Sequence, residues 1–138
     1  MQDIFNYLSQ IDFPIFFNFL YSICLVYFDC RYLCYPLMIW AIFFIFFALT
    51  MPVTSLVLSC IGIAILTEIF PLHIGSGDWL YLSLLAYSIN YLQLVYCILF
   101  ASAIALVYML SLSVKKKELP FIPFLLLGYL LTLYFIHI

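Results

Sequence analysis

Charged side chains punctuate this chain at wide intervals, and the stretches between them are almost wholly apolar. Between Asp12 and Asp29 stand 16 uncharged residues, between Arg31 and Glu68 36, between Asp78 and Lys115 another 36, and after Glu118 a final 20. A bilayer-crossing helix takes about 20 residues at ~1.5 Å each, so each outer interval fits one crossing. One helix of 36 residues would reach about 54 Å across a hydrocarbon core of ~30 Å, so each inner interval must turn back on itself. Helix-interrupting residues stand where those turns are needed: Thr50, Pro52 and Thr54 in the first, and Ser88, Asn90 and Gln93 in the second. The pattern predicts six helices over 13–28, 36–51, 53–70, 79–91, 92–113 and 120–137, the fourth short for a full crossing.

Composition supports a membrane environment. Of the 138 residues 70% are hydrophobic and 7% charged, against roughly half and a quarter in soluble domains. An aromatic content of 21% excludes intrinsic disorder, which needs few aromatics and much charge. The expectation is one membrane-embedded all-α domain over 1–138, a multi-pass protein of the plasma or inner membrane whose first partner is the lipid bilayer. With a net charge of −2 and only Arg31, Lys115, Lys116 and Lys117 basic, nucleic acid is excluded as a main partner.

Basic residues favour the cytoplasmic side, and six crossings put Arg31 and the three lysines on one side. Both termini then lie outside. Nothing basic precedes the first apolar run, so a cleaved leader is not expected and the mature chain should begin near Met1. Three loops face the cytoplasm: 29–35, 71–78 and 114–119. The first carries Asp29, Arg31 and the approach to Pro36, the second His73, Gly75, Gly77 and Asp78, and the third the lysines and Glu118, leading into Pro120 and Pro123.

Asp29 and Asp78 should thus meet the same membrane face. Two carboxyl groups held close in a low dielectric cannot both ionise, so one keeps a proton while the other is a base. That pair suits activation of water against a peptide carbonyl. Taken singly, each aspartate reads first as a solvated helix end, and Asp78 also as an N-cap or N-terminal charge favoured by the helix dipole. The glycines in Gly75-Ser76-Gly77-Asp78 are two of four in the chain. Glycine there would permit unusual backbone angles and close approach of a substrate strand.

These motifs together resemble the type IV prepilin peptidases, membrane aspartyl proteases of the GxGD group. The matching positions are Asp29, Arg31 and Pro36 in the first loop, Gly75, Gly77 and Asp78 in the second, and Pro120, Phe121, Pro123, Phe124 and Gly128 at the start of the last helix. The resemblance runs from about Phe28 to the end of the chain. It implies cleavage of the short basic leader of a prepilin or pseudopilin at the cytoplasmic membrane face, with Asp29 and Asp78 catalytic and no cofactor. The chain lacks the amino-terminal region with paired CxxC motifs that family members use to bind metal and methylate the new terminus, so peptidase without methyltransferase is expected. Leu80 and Leu37 stand where many members carry a lysine and a polar residue.

Among the remaining polar residues, the lysine run and Arg31 read first as membrane anchors. Glu68 reads as interfacial, and secondarily as a group that could steer a basic leader. Pro120 and Pro123 should leave an unwound, cavity-lining entrance to the last helix. The five cysteines, Cys24, Cys30, Cys34, Cys60 and Cys97, contain no CxxC and read mostly as buried free thiols, so no metal is assigned. A competing reading is a non-catalytic membrane subunit, or an inactive paralogue, assisting assembly of a pilus or competence apparatus. A small transporter is more remote, since mid-span polar residues are few beyond Asn18, Ser22, Ser59 and Ser102. Substrate identity and oligomeric state stay open.

Overall fold

The structure, a computed structural model, describes residues 2–32, 34–70, 75–112 and 119–137, with side chains from Pro14 to Ile136 among them. Those residues form six α-helices and no strand: α1 Gln2–Tyr32, α2 Leu37–Thr50, α3 Ser55–Ile69, α4 Ser76–Leu85, α5 Tyr91–Leu112 and α6 Ile122–His137. The number and order of helices agree with the charge-interval reading. The bounds of α1 and α4 do not. α1 begins at Gln2 instead of 13 and carries Pro14 inside it, so the polar residues before the apolar run extend the helix instead of delaying it. α4 ends at Leu85 instead of 91 and gives way to a turn over 86–88.

The local chemistry explains these ends. At the α4 end the Ser88 hydroxyl donates back to the Leu85 carbonyl (3.0 Å), competing with continuation of the helix. Gln93, expected simply to interrupt a helix, caps one: its Oε1 accepts the Asn90 N–H (2.9 Å) while the Asn90 carbonyl accepts from Leu94 N (2.9 Å). This is the backward-reaching half of a capping box at the start of α5. Between α2 and α3, Thr54 supplies the N-cap, its side chain accepting from Val57 N.

α4 is short because it is central. Tyr81, Leu82, Ser83, Leu84 and Leu85 are consecutive and all buried, so the second half of this helix has no outward face. α2 and α3 pack on it, α5 pairs with α6, and α1 lies along α6. Gly128 sets the α5–α6 spacing: a Cβ there would lie 2.4 Å from the Cys97 carbonyl oxygen and 3.0 Å from Ala101 N.

Polarity is arranged inside-out. Asn18, Ser22, Ser83 and Thr132 are fully buried, whereas Met38, Leu49 and Leu110 are 78%, 83% and 73% exposed. A polar seam joins α1 to its neighbours through Ser22 and the Tyr81 hydroxyl (2.6 Å), Asn18 Nδ2 donating to Ser88 Oγ (2.8 Å), and Ser88 with the Tyr129 hydroxyl (3.2 Å). Among the described residues α5 alone is both long and apolar enough to cross a membrane by itself. α2, α3 and α6 are apolar but have 14, 15 and 16 residues, or about 21 to 24 Å of rise. Full-length crossing by all six is therefore not a property of the individual helices.

Candidate functional site

The last turn of α1, the first turn of α4 and the segment entering α6 converge at one end of the bundle. Asp29 is helical, in the last turn of α1, and Asp78 is the third residue of α4. Both had been expected at the edges of loops, one ending the first helix and one starting the fourth. Their positions still lie just beyond the apolar intervals 13–28 and 79–91, and it is helix geometry that aims them.

Asp29 Oδ2 accepts the backbone N–H of Ile122 (3.1 Å). Ile122 is the first residue of α6, where N–H groups have no partner within the helix and favour negative charge. The segment over 119–121 is non-helical and Phe121 closes the first turn, its carbonyl accepting from Phe124 N (3.0 Å) and Leu125 N (3.1 Å). Pro120 therefore lies in an unwound entrance as expected, but Pro123 does not: it sits in the first turn of α6, where a missing N–H costs nothing. Phe124 is buried and packs against Tyr108 at a ring separation of 5.4 Å.

Burial raises both carboxyls above the ordinary range. Asp78 is pushed up to about 7, by burial first and by the Asp29 charge second. Asp29 is raised by burial and pulled back by the Ile122 hydrogen bond. The two environments thus differ: Asp29 holds a donor that favours its ionised form, and Asp78 has an apolar setting that favours its proton. Asp78 lines a cavity of about 250 Å³ with Trp79, Leu82, Ile98, Ser102, Phe121 and Leu125. The indole Nε1 of Trp79 is buried without a hydrogen-bond partner.

The glycine motif works through space, not through backbone angle. Gly75 is the N-cap of α4 with φ −65° and ψ 126°, values open to any residue, so the expected unusual conformation is absent. Its carbonyl accepts the Asp78 N–H (3.2 Å), and a Cβ at Gly75 would lie 3.3 Å from Asp78 Oδ2. Gly77 is the tighter position: a Cβ would lie 2.9 Å from Tyr35 Cβ and Cγ. Tyr35 is held in turn by its hydroxyl contact with Tyr21 (2.5 Å).

Tyr21 and Tyr35 were missed by the sequence reading. Tyr35 directly precedes Pro36, itself the N-cap of α2 with its carbonyl accepting from Ile39 N (3.0 Å) and Trp40 N (3.2 Å). Proximity to the motif proline was the available signal, while the Tyr21 contact depends on helix packing. Trp40 adds a second clamp, its Nε1–H donating to the Leu80 carbonyl (3.0 Å).

No family model, curated protein or solved structure matches this chain.

Other candidates stay apart from the pair. Arg31 donates to the Tyr27 hydroxyl (2.8 Å), its guanidinium 5.8 Å from the Tyr27 and Tyr32 ring centres, and it pairs with neither aspartate. That fits an anchor better than a group steadying a carboxylate. His73, Lys115, Lys116, Lys117 and Glu118 lie outside the described residues. Cys24, Cys30 and Cys34 are exposed and only Cys60 and Cys97 buried, which corrects the expectation of mostly buried thiols; the three exposed residues stand on and just after the outward side of α1.

Proposed function

We propose that this protein is a multi-pass membrane aspartyl endopeptidase that removes the leader of type IV prepilin-like or pseudopilin precursors at the cytoplasmic face of the cell membrane. The observation that carries the reading is the convergence of Asp29 and Asp78, remote in sequence, at one end of the bundle, each in a distinct electrostatic setting. The inside-out polarity supports a lipid environment, because a large exposed apolar surface around a core containing Asn18 and Ser22 is unfavourable in water. Six helices of unequal length suit a bilayer thinned or tilted around the shorter ones.

In this reading a water molecule is the nucleophile. Asp29, whose ionised form the Ile122 N–H favours, takes a proton from that water as it attacks the scissile carbonyl carbon. Asp78 gives its proton to the carbonyl oxygen, and the resulting tetrahedral species collapses as the leaving amine takes a proton from Asp29. Asp78 then recovers its proton from the former carbonyl oxygen, which restores the starting pair. The non-helical segment over 119–121 gives an extended chain a way to the Asp78 cavity.

The test is co-expression with a candidate precursor, read as a gel shift, using the intact protein and the variants Asp29→Asn and Asp78→Asn at equal membrane levels. Loss of the cut in each single variant supports the mechanism. Persistent cutting by either removes that aspartate from catalysis, and no cutting of several precursors by the intact protein moves the assignment to a non-catalytic assembly subunit.

A further inference from the structure

On the far side of the first turn of α4 from the Asp78 cavity lies a larger trough of about 570 Å³. Its walls are apolar, with Leu37, Trp40, Ile61, Ile65 and Leu80 among them, and Glu68 and Ser76 also line it. The Ser76 hydroxyl donates to Glu68 Oε1, fixing the carboxylate near the start of α4. Glu68 is exposed, and the one basic side chain among the described residues, Arg31, is folded onto Tyr27 and Tyr32. An apolar trough with one held carboxylate is complementary to a long aliphatic stem ending in a cation. Gly77 also lines the trough, and the next residue, Asp78, lines the other cavity. A chain laid across this turn would reach both.

We infer that the trough lined by Leu37, Trp40, Ile65, Leu80 and the Glu68 carboxylate is a specificity subsite for a lysine or arginine side chain of the polypeptide being cut. The inference rests on the peptidase reading for its substrate, and it adds a residue and a cavity separate from the aspartate pair. Ser76 positions Glu68. The Leu37 and Leu80 side chains take the methylene stem, and the absence of a side chain at Gly77 lets the substrate backbone run close to the turn.

The test uses the full chain in membranes with a precursor carrying a lysine in its leader, and with the same precursor in which that lysine is methionine. For the wild type, kcat/KM should favour the lysine form, and Glu68→Gln should reduce that preference about tenfold, as expected for loss of one charge-assisted contact. Glu68→Lys should reverse it toward a precursor with glutamate at that position, a rescue that a folding defect cannot produce. Zero-length carbodiimide coupling of the lysine precursor to the Asp78→Asn protein should give an amide at Glu68, lost in the Asp78→Asn, Glu68→Gln double variant.

Cleavage by the wild type with an unchanged preference in Glu68→Gln overturns the subsite and leaves the peptidase reading standing. If the wild type cuts nothing, the peptidase reading fails and the coupling decides the subsite alone. An amide to the leader lysine supports the site, while no amide, or an amide formed instead to the amine of phosphatidylethanolamine, overturns it.

Discussion

Adding one methyl group at Gly77 tests whether the motif glycine is there for space. In the Gly77→Ala variant the new Cβ lies 2.9 Å from both Cβ and Cγ of Tyr35 and 3.0 Å from Cδ2, against an ordinary carbon separation of about 3.5–4.0 Å. The neighbour would have to retreat by roughly 0.5–1 Å. Tyr35 is poorly placed to do so, held at one end by the Tyr21 hydroxyl (2.5 Å) and at the other by Pro36 at the cap of α2. Overpacking of this kind costs about 1–3 kcal/mol, while alanine within a helix regains up to about 1 kcal/mol over glycine. The sum favours glycine by up to ~2 kcal/mol, and the displacement falls on the turn carrying Asp78. Thermal unfolding in detergent, together with precursor cleavage, should show a loss of both stability and rate. Tyr35→Ala removes two of the three close contacts, so the cost of Gly77→Ala should shrink in that background. A Gly77→Ala protein as stable and as active as the wild type would refute the reasoning.

Three further outcomes follow from the same geometry. Because Asp78 is raised from 3.8 to about 7, the folded state binds its proton more tightly than the unfolded chain, so stability is fullest below about pH 4 and declines as pH rises through 7; Asp78→Asn should flatten that slope in pH-dependent unfolding, and in the peptidase reading wild-type cleavage should fall over the same rise as the proposed general acid is lost. Ile122→Pro removes the N–H on Asp29 at a helix position that tolerates proline, which should raise the Asp29 pKa and move the acid limb of the cleavage profile upward; an unmoved limb would separate Asp29 from that limb. Gly128→Val should be destabilising by about 1–3 kcal/mol or more, since even its Cβ meets the Cys97 carbonyl at 2.4 Å, and denaturation showing wild-type stability would contradict the close α5–α6 approach.

Much of this architecture was legible in the spacing of charges, because a stretch of 36 uncharged residues admits few folds. The meeting of the three polar segments at one end was likewise implied by the parity of the helices. What the pattern could not carry was contact. Gln93 reads as a helix breaker in sequence, and it is a cap only because Asn90 precedes α5 at the right offset. The glycine motif suggested unusual angles, and the need proved to be the Tyr35 ring, a residue 42 positions away whose pose depends on α1. Arg31 and Asp29 are two residues apart on a helix, so their side chains diverge, a consequence of helical period that the loop assignment concealed.

The enclosure of α4 bears on how the chain is made. In the proposed multi-pass membrane protein, a helix of ten residues whose second half is buried on every side is a poor candidate for independent release from the insertion machinery into lipid. It requires α2 and α3 on one side, which emerge before it, and the α5–α6 pair, which emerges after. The surroundings of Asp78, and the Ile122 N–H on Asp29, therefore exist only once translation has passed into α6. In the peptidase reading, an unfinished chain lacks an assembled dyad, so synthesis order itself delays proteolytic competence until the nascent polypeptide is nearly complete.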